Sequence, residues 1–197
     1  MRSSKDCFAL NFWRQFGDSR SSDLENSGME SVLRTELEQL YRKHRQSLFS
    51  VALTLTGCSS MAEDAVHEAF VRLCQKSELP EGSLASYVFA AVRNAAIDCR
   101  RRQQHQRTIT ESIFASTGSD SHAASSSTIA NQDGETESLK RAINQLDELS
   151  RQIVVMKIFS ELTFEEIAGV LEMPSATAAT RYRRAIMKLE EELRRSS

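Results

Sequence analysis

The chain has 197 residues, of which 40% are hydrophobic and 26% are charged, and its formal net charge is −2. This length accommodates one or two small domains, and the low content of 7 glycines and 2 prolines favours helices over a turn-rich sheet. Because the net charge is close to zero, the overall charge gives no evidence for nucleic-acid binding. The distribution of charge along the chain is more informative. No apolar run is long enough to span a membrane. Asn11 interrupts the short apolar stretch near the N-terminus, so we expect a cytoplasmic protein.

Residues that usually carry catalysis or bind metals are scattered along this sequence. The 4 cysteines form no CxxC pair, so reduced thiols are expected rather than a metal site. The 4 histidines lie far apart, and the sequence has no glycine-rich phosphate loop. We therefore expect a protein that is not an enzyme and that has no cofactor.

The N-terminal segment is polar and aperiodic. Residues 1–34 combine a few aromatic side chains with a serine-rich stretch, which predicts a disordered extension. Met29 precedes the first clearly periodic segment and is a candidate for the true start of the protein.

Two amphipathic helices are predicted from the apolar spacing that follows. Leu37 starts a stripe of apolar side chains at three- and four-residue steps, and Gly57 ends this helix. Ser60 and Glu63 form a capping-box signature for a second helix. The predicted buried faces contain Leu37, Leu40, Tyr41, His44, Leu48, Val51, Ala52 and Leu55 in the first helix and Ala62, Ala65, Val66, Ala69, Phe70 and Leu73 in the second.

A third helix is predicted after a loop that contains Pro80 and Gly82. Ser83 is placed to cap this helix, which runs into the basic residues Arg100–Arg102. Together the three helices predict a compact helical domain over residues 35–107.

The next segment differs sharply in composition. Residues 108–138 are rich in serine, threonine and alanine and contain 5 acidic and no basic residues. This composition predicts a flexible, self-repelling linker. Helical periodicity resumes at Leu139, so a second domain is predicted over residues 139–195.

The helices of the second domain carry start and stop signals. Ser150 is placed to cap the run RQIVVMKIF, and Thr163 with Glu166 gives a capping box. Pro174 blocks continuation of the helix before it, and Ser175 is placed to cap the last helix. The first helix of this domain has the apolar stripe Leu139, Ala142, Ile143 and Leu146.

The stretch TFEEIAGVLEMPSATAATRYRRA, residues 163–185, joins a short amphipathic helix through a sharp turn to a cationic helix. On a helical wheel the second helix has an inward face of Ala178, Tyr182, Ala185 and Leu189 and a separate face of Thr177, Arg181, Arg184 and Lys188. This pattern predicts a helix-turn-helix whose second helix enters the major groove of DNA. A basic amphipathic helix can also be a solvated face or bind a protein or a membrane, so that alternative stays open.

Two motifs together resemble one known family. The segments AEDAVHEAFVRL, residues 62–73, and LASYVFAAVRNAAIDCRRR, residues 84–102, resemble region two of the sigma factors of bacterial RNA polymerase. The segment from Leu139 to Leu193 resembles their region four. This order of regions is the pattern of the extracytoplasmic-function group of the sigma-70 family. The resemblance implies an all-α fold of two small helical domains, a region two bundle and a region four helix-turn-helix, joined by the flexible acidic linker.

The resemblance also implies a surface for the polymerase. In region two, the polar face of the second helix contacts the coiled-coil clamp of the largest polymerase subunit. The matching positions are Glu63, Asp64, Glu68, Val71 and Arg72. A merely solvated helix face is the alternative.

Contacts with the opened minus-10 element of a promoter are implied for the third helix. The matching positions are Arg93, Asn94, Asp98, Arg100 and Arg101. The loop around residues 79–83 would form the pocket for a base turned out of the stack. Tyr87 stands where the family often has tryptophan, but its position in the apolar stripe predicts a core residue.

Region four is implied to read the minus-35 element as duplex DNA. The matching positions are Ser175, Ala176, Thr177, Ala179, Thr180, Arg181, Arg184 and Lys188. The sequence departs from the family pattern at Ala179, where lysine is common, and at Ala176, where glycine is frequent. Losing a cation weakens non-specific DNA affinity, so we expect a promoter preference different from that of better-known members.

The resemblance predicts a sigma factor that binds core RNA polymerase and directs promoter-specific transcription initiation, and it implies an anti-sigma protein as a partner. Two alternatives stay open. One is a helix-turn-helix regulator that binds an operator without polymerase, usually as a dimer. The other is a sigma-like module that sequesters polymerase without reading DNA.

Overall fold

The computed structural model describes residues 27–76, 82–115 and 134–196. In chain order the helices are α1 Ser27–Thr56, α2 Ser59–Cys74, α3 Leu84–Ala115, α4 Gly134–Asn144, α5 Glu148–Phe159, α6 Phe164–Leu171 and α7 Ser175–Ser196. No strand occurs among the described residues, so the predicted all-α fold is confirmed. In the same part of the chain, no helix combines the length and apolarity needed to cross a bilayer.

The chain divides into two units, Met1–Leu37 and Glu38–Ser197. In the first unit the structure describes residues 27–37, which are the N-terminal part of α1. The second unit contains the rest of α1 and all of the other helices. From Glu38 onward, both of the predicted helical domains therefore belong to one unit.

Helix α1 is longer than its apolar stripe. It begins at Ser27, so a helix covers residues 27–34, where the sequence predicts a disordered extension. The glutamate, leucine and arginine in that stretch are good helix formers and need no buried stripe to adopt helical geometry. Residues 1–26 lie outside the described part of the chain. Gly57 has a φ of +67° and ends α1 as predicted, because this left-handed conformation costs glycine little.

The start of α2 differs from the prediction. Ser60 is not its cap; the N-cap residue is Cys58, whose side chain makes no capping hydrogen bond. Thr56 Oγ1 instead donates to the Cys58 carbonyl at 3.1 Å, and the Ala62 backbone N–H donates to the same carbonyl at 3.0 Å. The threonine thus orders the turn from the preceding helix. The predicted buried face of α2 is confirmed in full.

Helix α3 starts as predicted and packs against α2. Ser83 Oγ accepts a hydrogen bond from the Ser86 backbone N–H at 3.4 Å, which satisfies one of the unpaired donors at the start of the helix. Val88, Phe89 and Val92 form the centre of its fully buried face.

Both ends of the predicted linker are helical. Helix α3 continues to Ala115, and α4 begins at Gly134. Thr108 Oγ1 donates to the Gln104 carbonyl at 3.1 Å, so this hydroxyl is satisfied inside the helix. The predicted linker residues 116–133 lie outside the described part of the chain.

Asp147, and not Ser150, caps α5. The Asp147 carboxylate accepts a hydrogen bond from the Ser150 backbone N–H at 3.1 Å, and α5 begins at Glu148. Ser150 lies immediately before the apolar run, which is why the sequence favours it. The carboxylate three residues earlier is the stronger acceptor and also suits the positive end of the helix dipole.

The capping box at the start of α6 is confirmed. Thr163 Oγ1 accepts from the Glu166 backbone N–H at 3.2 Å, and the Glu166 carboxylate accepts from the Thr163 backbone N–H at 2.8 Å. Glu172 ends α6 in the left-handed conformation with a φ of 54°.

A tight turn then leads into α7. The Pro174 carbonyl accepts from the backbone N–H groups of Thr177 and Ala178 at 2.9 and 3.1 Å. Ser175 is therefore the first residue of α7 rather than its cap, which corrects the prediction by one position.

Helix α7 lies against α4, α5 and α6. Ala178, Ala185 and Leu189 are buried as predicted, and Tyr182 is half-buried with its ring edge-on to Phe164 at 5.6 Å between centroids. The buried cluster around α7 contains Ala142, Leu146, Val154, Ala185 and Leu189. Leu139, predicted to be buried, is 42% exposed.

Candidate nucleic-acid interface

The face of α7 next to its buried side borders a groove of about 600 Å³. The other wall comes from the turn between α4 and α5. The groove is lined by Leu146, Asp147, Ser150, Ala176, Thr177, Thr180, Arg181, Arg184, Ala185 and Lys188. Six of the positions predicted to read the minus-35 element line this groove: Ala176, Thr177, Thr180, Arg181, Arg184 and Lys188. Ser175 is exposed and Ala179 half-buried, and neither lines the groove.

Two of the groove cations have acceptors within the protein. Arg181 Nη1 lies 3.5 Å from Asp147 Oδ2, and the Arg181 side chain remains 42% exposed. Lys188 Nζ donates to the Gln145 carbonyl at 2.8 Å. The hydrogen bond from Ser150 and the charge of Arg181 hold the pKa of Asp147 below its ordinary value, so the carboxylate is ionised at neutral pH. An anion therefore already occupies one edge of this cationic groove.

The α3 positions predicted to contact the minus-10 element have different surroundings. Arg93 Nε donates to Gln152 Oε1 at 3.0 Å. Arg100 Nη1 lies 2.5 Å from Glu148 Oε2, and its Nη2 donates to Glu148 Oε1 at 3.4 Å. Both acceptors belong to α5. Two of the five predicted side chains on α3 are consequently bound by the second predicted domain.

The other three predicted side chains of that set lie apart from α5. Asn94 and Arg101 are exposed, and Asp98 is half-buried. Asp98 Oδ2 lies 4.0 Å from Arg72 Nη1, which belongs to the predicted polymerase-binding set. This contact joins the two predicted surfaces of region two at the α2–α3 boundary.

The predicted polymerase-binding face of α2 divides into an open part and a bonded part. Glu63 and Asp64 are exposed, and Val71 is half-buried. Glu68 pairs with Arg72 at 2.5 Å and with Arg102 at 2.6 Å.

The charge state of Glu68 follows from these partners. Burial acts to raise its pKa, but the Arg102 hydrogen bond and the charges of Arg72 and Arg102 outweigh burial and lower the pKa. Glu68 is therefore a structural anion between α2 and α3 as well as a candidate docking residue.

The base pocket is predicted around residues 79–83. Residues 79–81 lie outside the described part of the chain, whereas residues 82 and 83 belong to it. Tyr87 is half-buried rather than fully buried, and its hydroxyl accepts a hydrogen bond from Lys76 Nζ. The same ammonium lies 5.0 Å from the centre of the Tyr87 ring.

Sequence reasoning missed the acceptors of α5. Gln152 is 1% exposed although it is polar, and Glu148 is an ordinary first-turn acid by sequence. The available signal was a glutamine inside the apolar run RQIVVMKIF, because a buried amide needs a hydrogen-bond partner. The sequence offers no means of identifying that partner as Arg93.

Two known protein families match this chain. The family described as Sigma-70 region 2 matches residues 40–106, and the family described as Sigma-70, region 4 matches residues 136–189. Together the two matches cover more than half of the chain. A protein of Cereibacter sphaeroides called ECF RNA polymerase sigma factor RpoE is 28% identical over 138 residues, which is 68% of this chain and 74% of that protein.

Two solved structures share the fold. One is the sigma factor RpoE of Bartonella quintana in complex with the anti-sigma factor NepR, with a TM-score of 0.57, 21% identity and coverage of 81% of this chain and 98% of that one. The other is CnrH in complex with the cytosolic domain of CnrY, with a TM-score of 0.57, 18% identity and coverage of 87% and 96%.

Proposed function

Because the chain belongs to the extracytoplasmic-function group of the sigma-70 family and is a promoter-directing sigma factor, we propose that α7 and α3 bind the two elements of its promoter. Helix α7 enters the major groove at the minus-35 element, and α3 binds the opened minus-10 strand. The observation that carries this proposal is the α7 groove, which three cations and two threonines of the same helix line together. Cations hold phosphates, and short polar side chains reach base edges.

The polymerase docks on the polar face of α2 in this proposal. Glu63 and Asp64 are exposed there, and Val71 adds an apolar contact beside them. Glu68 orders the neighbouring arginines and so fixes the shape of the surface. The acidic side chains of this face favour a partner surface of opposite charge, because electrostatic complementarity speeds association.

The two promoter contacts are coupled by the chain that joins them. We assign residues 35–107 to the minus-10 and polymerase contacts, residues 139–195 to the minus-35 contact, and residues 108–138 to the connection. Once one element is bound, the connection raises the effective concentration of the other contact. Initiation chemistry belongs to the polymerase, so the chain supplies no catalytic residue and acts in the cytoplasm, where the polymerase works.

An anti-sigma protein is the proposed inhibitory partner. Two structural relatives support this proposal, because both were solved as complexes. RpoE of Bartonella quintana is bound to the anti-sigma factor NepR, and CnrH is bound to the cytosolic domain of CnrY. Binding of such a partner would compete with the polymerase for the same surfaces.

Run-off transcription tests this function. Purified chain and sigma-free core polymerase are incubated with a pool of promoter-like templates, and transcripts are mapped. Specific starts that depend on the chain support the proposal and yield the promoter sequence. Core binding without starts would indicate a sequestering module, whereas operator binding by the chain alone, without core binding, would indicate a regulator.

A further inference from the structure

The turn between α4 and α5 brings acceptors to the cationic face of α7. The Gln145 carbonyl accepts a hydrogen bond from Lys188 Nζ at 2.8 Å, and Asp147 Oδ2 lies 3.5 Å from Arg181 Nη1. Of these two groove cations, Arg181 faces a full negative charge, whereas Lys188 meets a neutral carbonyl. The proposed minus-35 surface thus has an anion placed directly beside one of its arginines.

The Asp147 carboxylate cannot turn away from Arg181 without a cost in stability. Its Oδ2 atom, which faces Arg181, is also the atom that accepts the Ser150 backbone N–H at 3.1 Å and so caps α5. Loss of such a cap destabilises a helix, and the N-terminal end of the helix dipole favours an anion at this place. The negative charge is therefore fixed at the start of α5.

The turn that carries Asp147 is itself anchored on both sides. Arg151 Nη2 donates to the carbonyls of Asn144 and Leu146 at 2.9 and 3.0 Å. Leu146, the residue before Asp147, is 4% exposed and belongs to the buried cluster around α7. Packing against α7 and hydrogen bonds from α5 thus hold the carboxylate beside the recognition helix.

The pair of Arg181 and Asp147 remains open to exchange with DNA. The Arg181 side chain is 42% exposed and the Asp147 side chain is 61% exposed, so water screens their attraction and the pair is weak. Their separation of 3.5 Å is also long for a hydrogen bond. A DNA group that reaches the groove can therefore compete for the guanidinium.

The carboxylate affects the two kinds of DNA acceptor differently. A phosphate carries a negative charge, so a phosphate at Arg181 is repelled by the ionised Asp147 as well as attracted by the arginine. The O6 and N7 atoms of guanine carry no net charge, and arginine binds both with two N–H groups. A guanidinium has further N–H donors, so Arg181 can contact a guanine edge and keep one donor directed at Asp147. Asp147 thus disfavours phosphate more than it disfavours guanine.

We propose that Asp147 is a specificity-determining residue of the minus-35 contact. It acts through Arg181, as a positioning residue: its charge weakens the contact of Arg181 with phosphates of any sequence and directs the guanidinium to a G·C base pair. Removal of the charge tightens binding to all duplex DNA but reduces the preference for the minus-35 sequence. This inference rests on the proposed function, because α7 must lie in the major groove for Arg181 to reach a base edge.

The test uses the full chain and the minus-35 sequence obtained by run-off transcription. The variant is Asp147→Asn, which removes the charge and retains the size of the side chain and a strong helix cap. The control is Glu190→Gln, which removes one negative charge from an exposed position of α7 outside the groove. Each protein is titrated with two labelled duplexes of equal length and base composition, one with the minus-35 sequence and one with that sequence scrambled.

We expect Asp147→Asn to bind the scrambled duplex about tenfold more tightly than the wild-type chain at low salt, and the minus-35 duplex about threefold more tightly. The ratio of the two affinities then falls, whereas Glu190→Gln keeps the wild-type ratio. An unchanged ratio in Asp147→Asn would overturn the proposal. A ratio that falls only because minus-35 binding weakens would overturn it too, since Asp147 would then be a direct contact to the DNA.

A second pair of variants tests whether Asp147 acts through Arg181. In an Arg181→Gln background, Asp147→Asn should leave the ratio of affinities unchanged, because the guanidinium that the carboxylate positions is absent. A further fall of the ratio in that background would contradict the inference. Equal affinity of the wild-type chain for both duplexes would overturn the minus-35 assignment of α7 together with this inference, whereas wild-type discrimination with an unchanged ratio in Asp147→Asn counts against Asp147 alone.

Discussion

The faces of α3 and α7 carry similar cations in different surroundings, although each face includes cations with acceptors inside the protein. On α3, Arg93 and Arg100 are held by an amide and a carboxylate of α5. On α7, Arg184 is exposed and borders an open groove. A basic motif therefore identifies a candidate surface for DNA, but it does not determine whether the cations of that surface are free to bind DNA. Availability depends on acceptors supplied by distant parts of the chain.

The largest expected effect comes from the open face. Arg181→Ala should cost about 1–3 kcal/mol of promoter binding by the holoenzyme if its guanidinium contacts a base in bidentate fashion. The matched control is Arg183→Ala, an exposed arginine of the same helix that does not line the groove. Fluorescence anisotropy with a labelled promoter measures both. An equal loss for the two variants would mean that the groove face has no special role.

The second prediction separates docking from packing on α2. Asp64→Ala should weaken association with core polymerase and leave stability unchanged, because Asp64 is exposed. Glu68→Ala should weaken association too and also lower the free energy of unfolding by less than about 1 kcal/mol, since it releases two partly exposed ion pairs. Co-purification with core and urea unfolding provide the two readouts. Normal core binding by Asp64→Ala would contradict the docking assignment.

The third prediction concerns the anion at the edge of the open groove. Asp147→Ser keeps a good helix cap but removes the partner of Arg181, so stability should change little. Binding to minus-35 duplex should become a few-fold tighter at low salt, and the slope of log affinity against log salt should steepen by up to about one unit. Titrations at several salt concentrations measure this. Weaker binding would show that Asp147 assists DNA binding instead of competing with it.

The smallest effect concerns the core beneath α3, where the ring of His44 lies edge-on to Phe89 at 5.8 Å between centroids. Burial and the charge of Lys43 lower the pKa of His44 from 6.5, although Glu161 and Glu166 act in the opposite direction. The folded chain therefore binds this proton less well than the unfolded chain. Its contribution to stability is complete above pH 6.5 and is lost as the pH falls through the lowered pKa.

We accordingly expect a lower thermal midpoint at about pH 5.5 than at about pH 7.5. His44→Gln should reduce that difference, and His105→Gln, at an exposed position on α3, should not. Scanning calorimetry at both pH values provides the comparison. The same pH dependence in wild type and His44→Gln would rule out His44 as its source.

Local patterns predicted much of this fold because each depends on neighbours in sequence. The capping box of Thr163 and Glu166, the stop at Gly57 and the inward face of α7 are all confirmed. Caps chosen by residue type alone were less reliable, since Asp147 outcompetes Ser150 and a backbone carbonyl replaces Ser175.

Contacts between distant segments could not be predicted in this way. Periodicity shows that α3 has a polar side, but it does not show that Gln152 and Glu148 meet that side. The sequence also treats Tyr87 as core, whereas its half-buried ring is anchored by Lys76. Such pairings depend on tertiary packing, so the spacing of residues within one helix cannot predict them.

Site-specific crosslinking in the transcribing complex tests the central claim, that two faces of this chain read two promoter elements. A photoreactive amino acid is placed at Asn94 on α3 or at Ala176 on α7, both exposed, and the crosslinked promoter positions are mapped with core polymerase bound. We predict crosslinks from Asn94 to the non-template strand of the minus-10 element and from Ala176 to the minus-35 duplex. Crosslinks from both positions to the same element, or to neither in a complex that initiates normally, would contradict the assignment of α3 and α7 to different promoter elements.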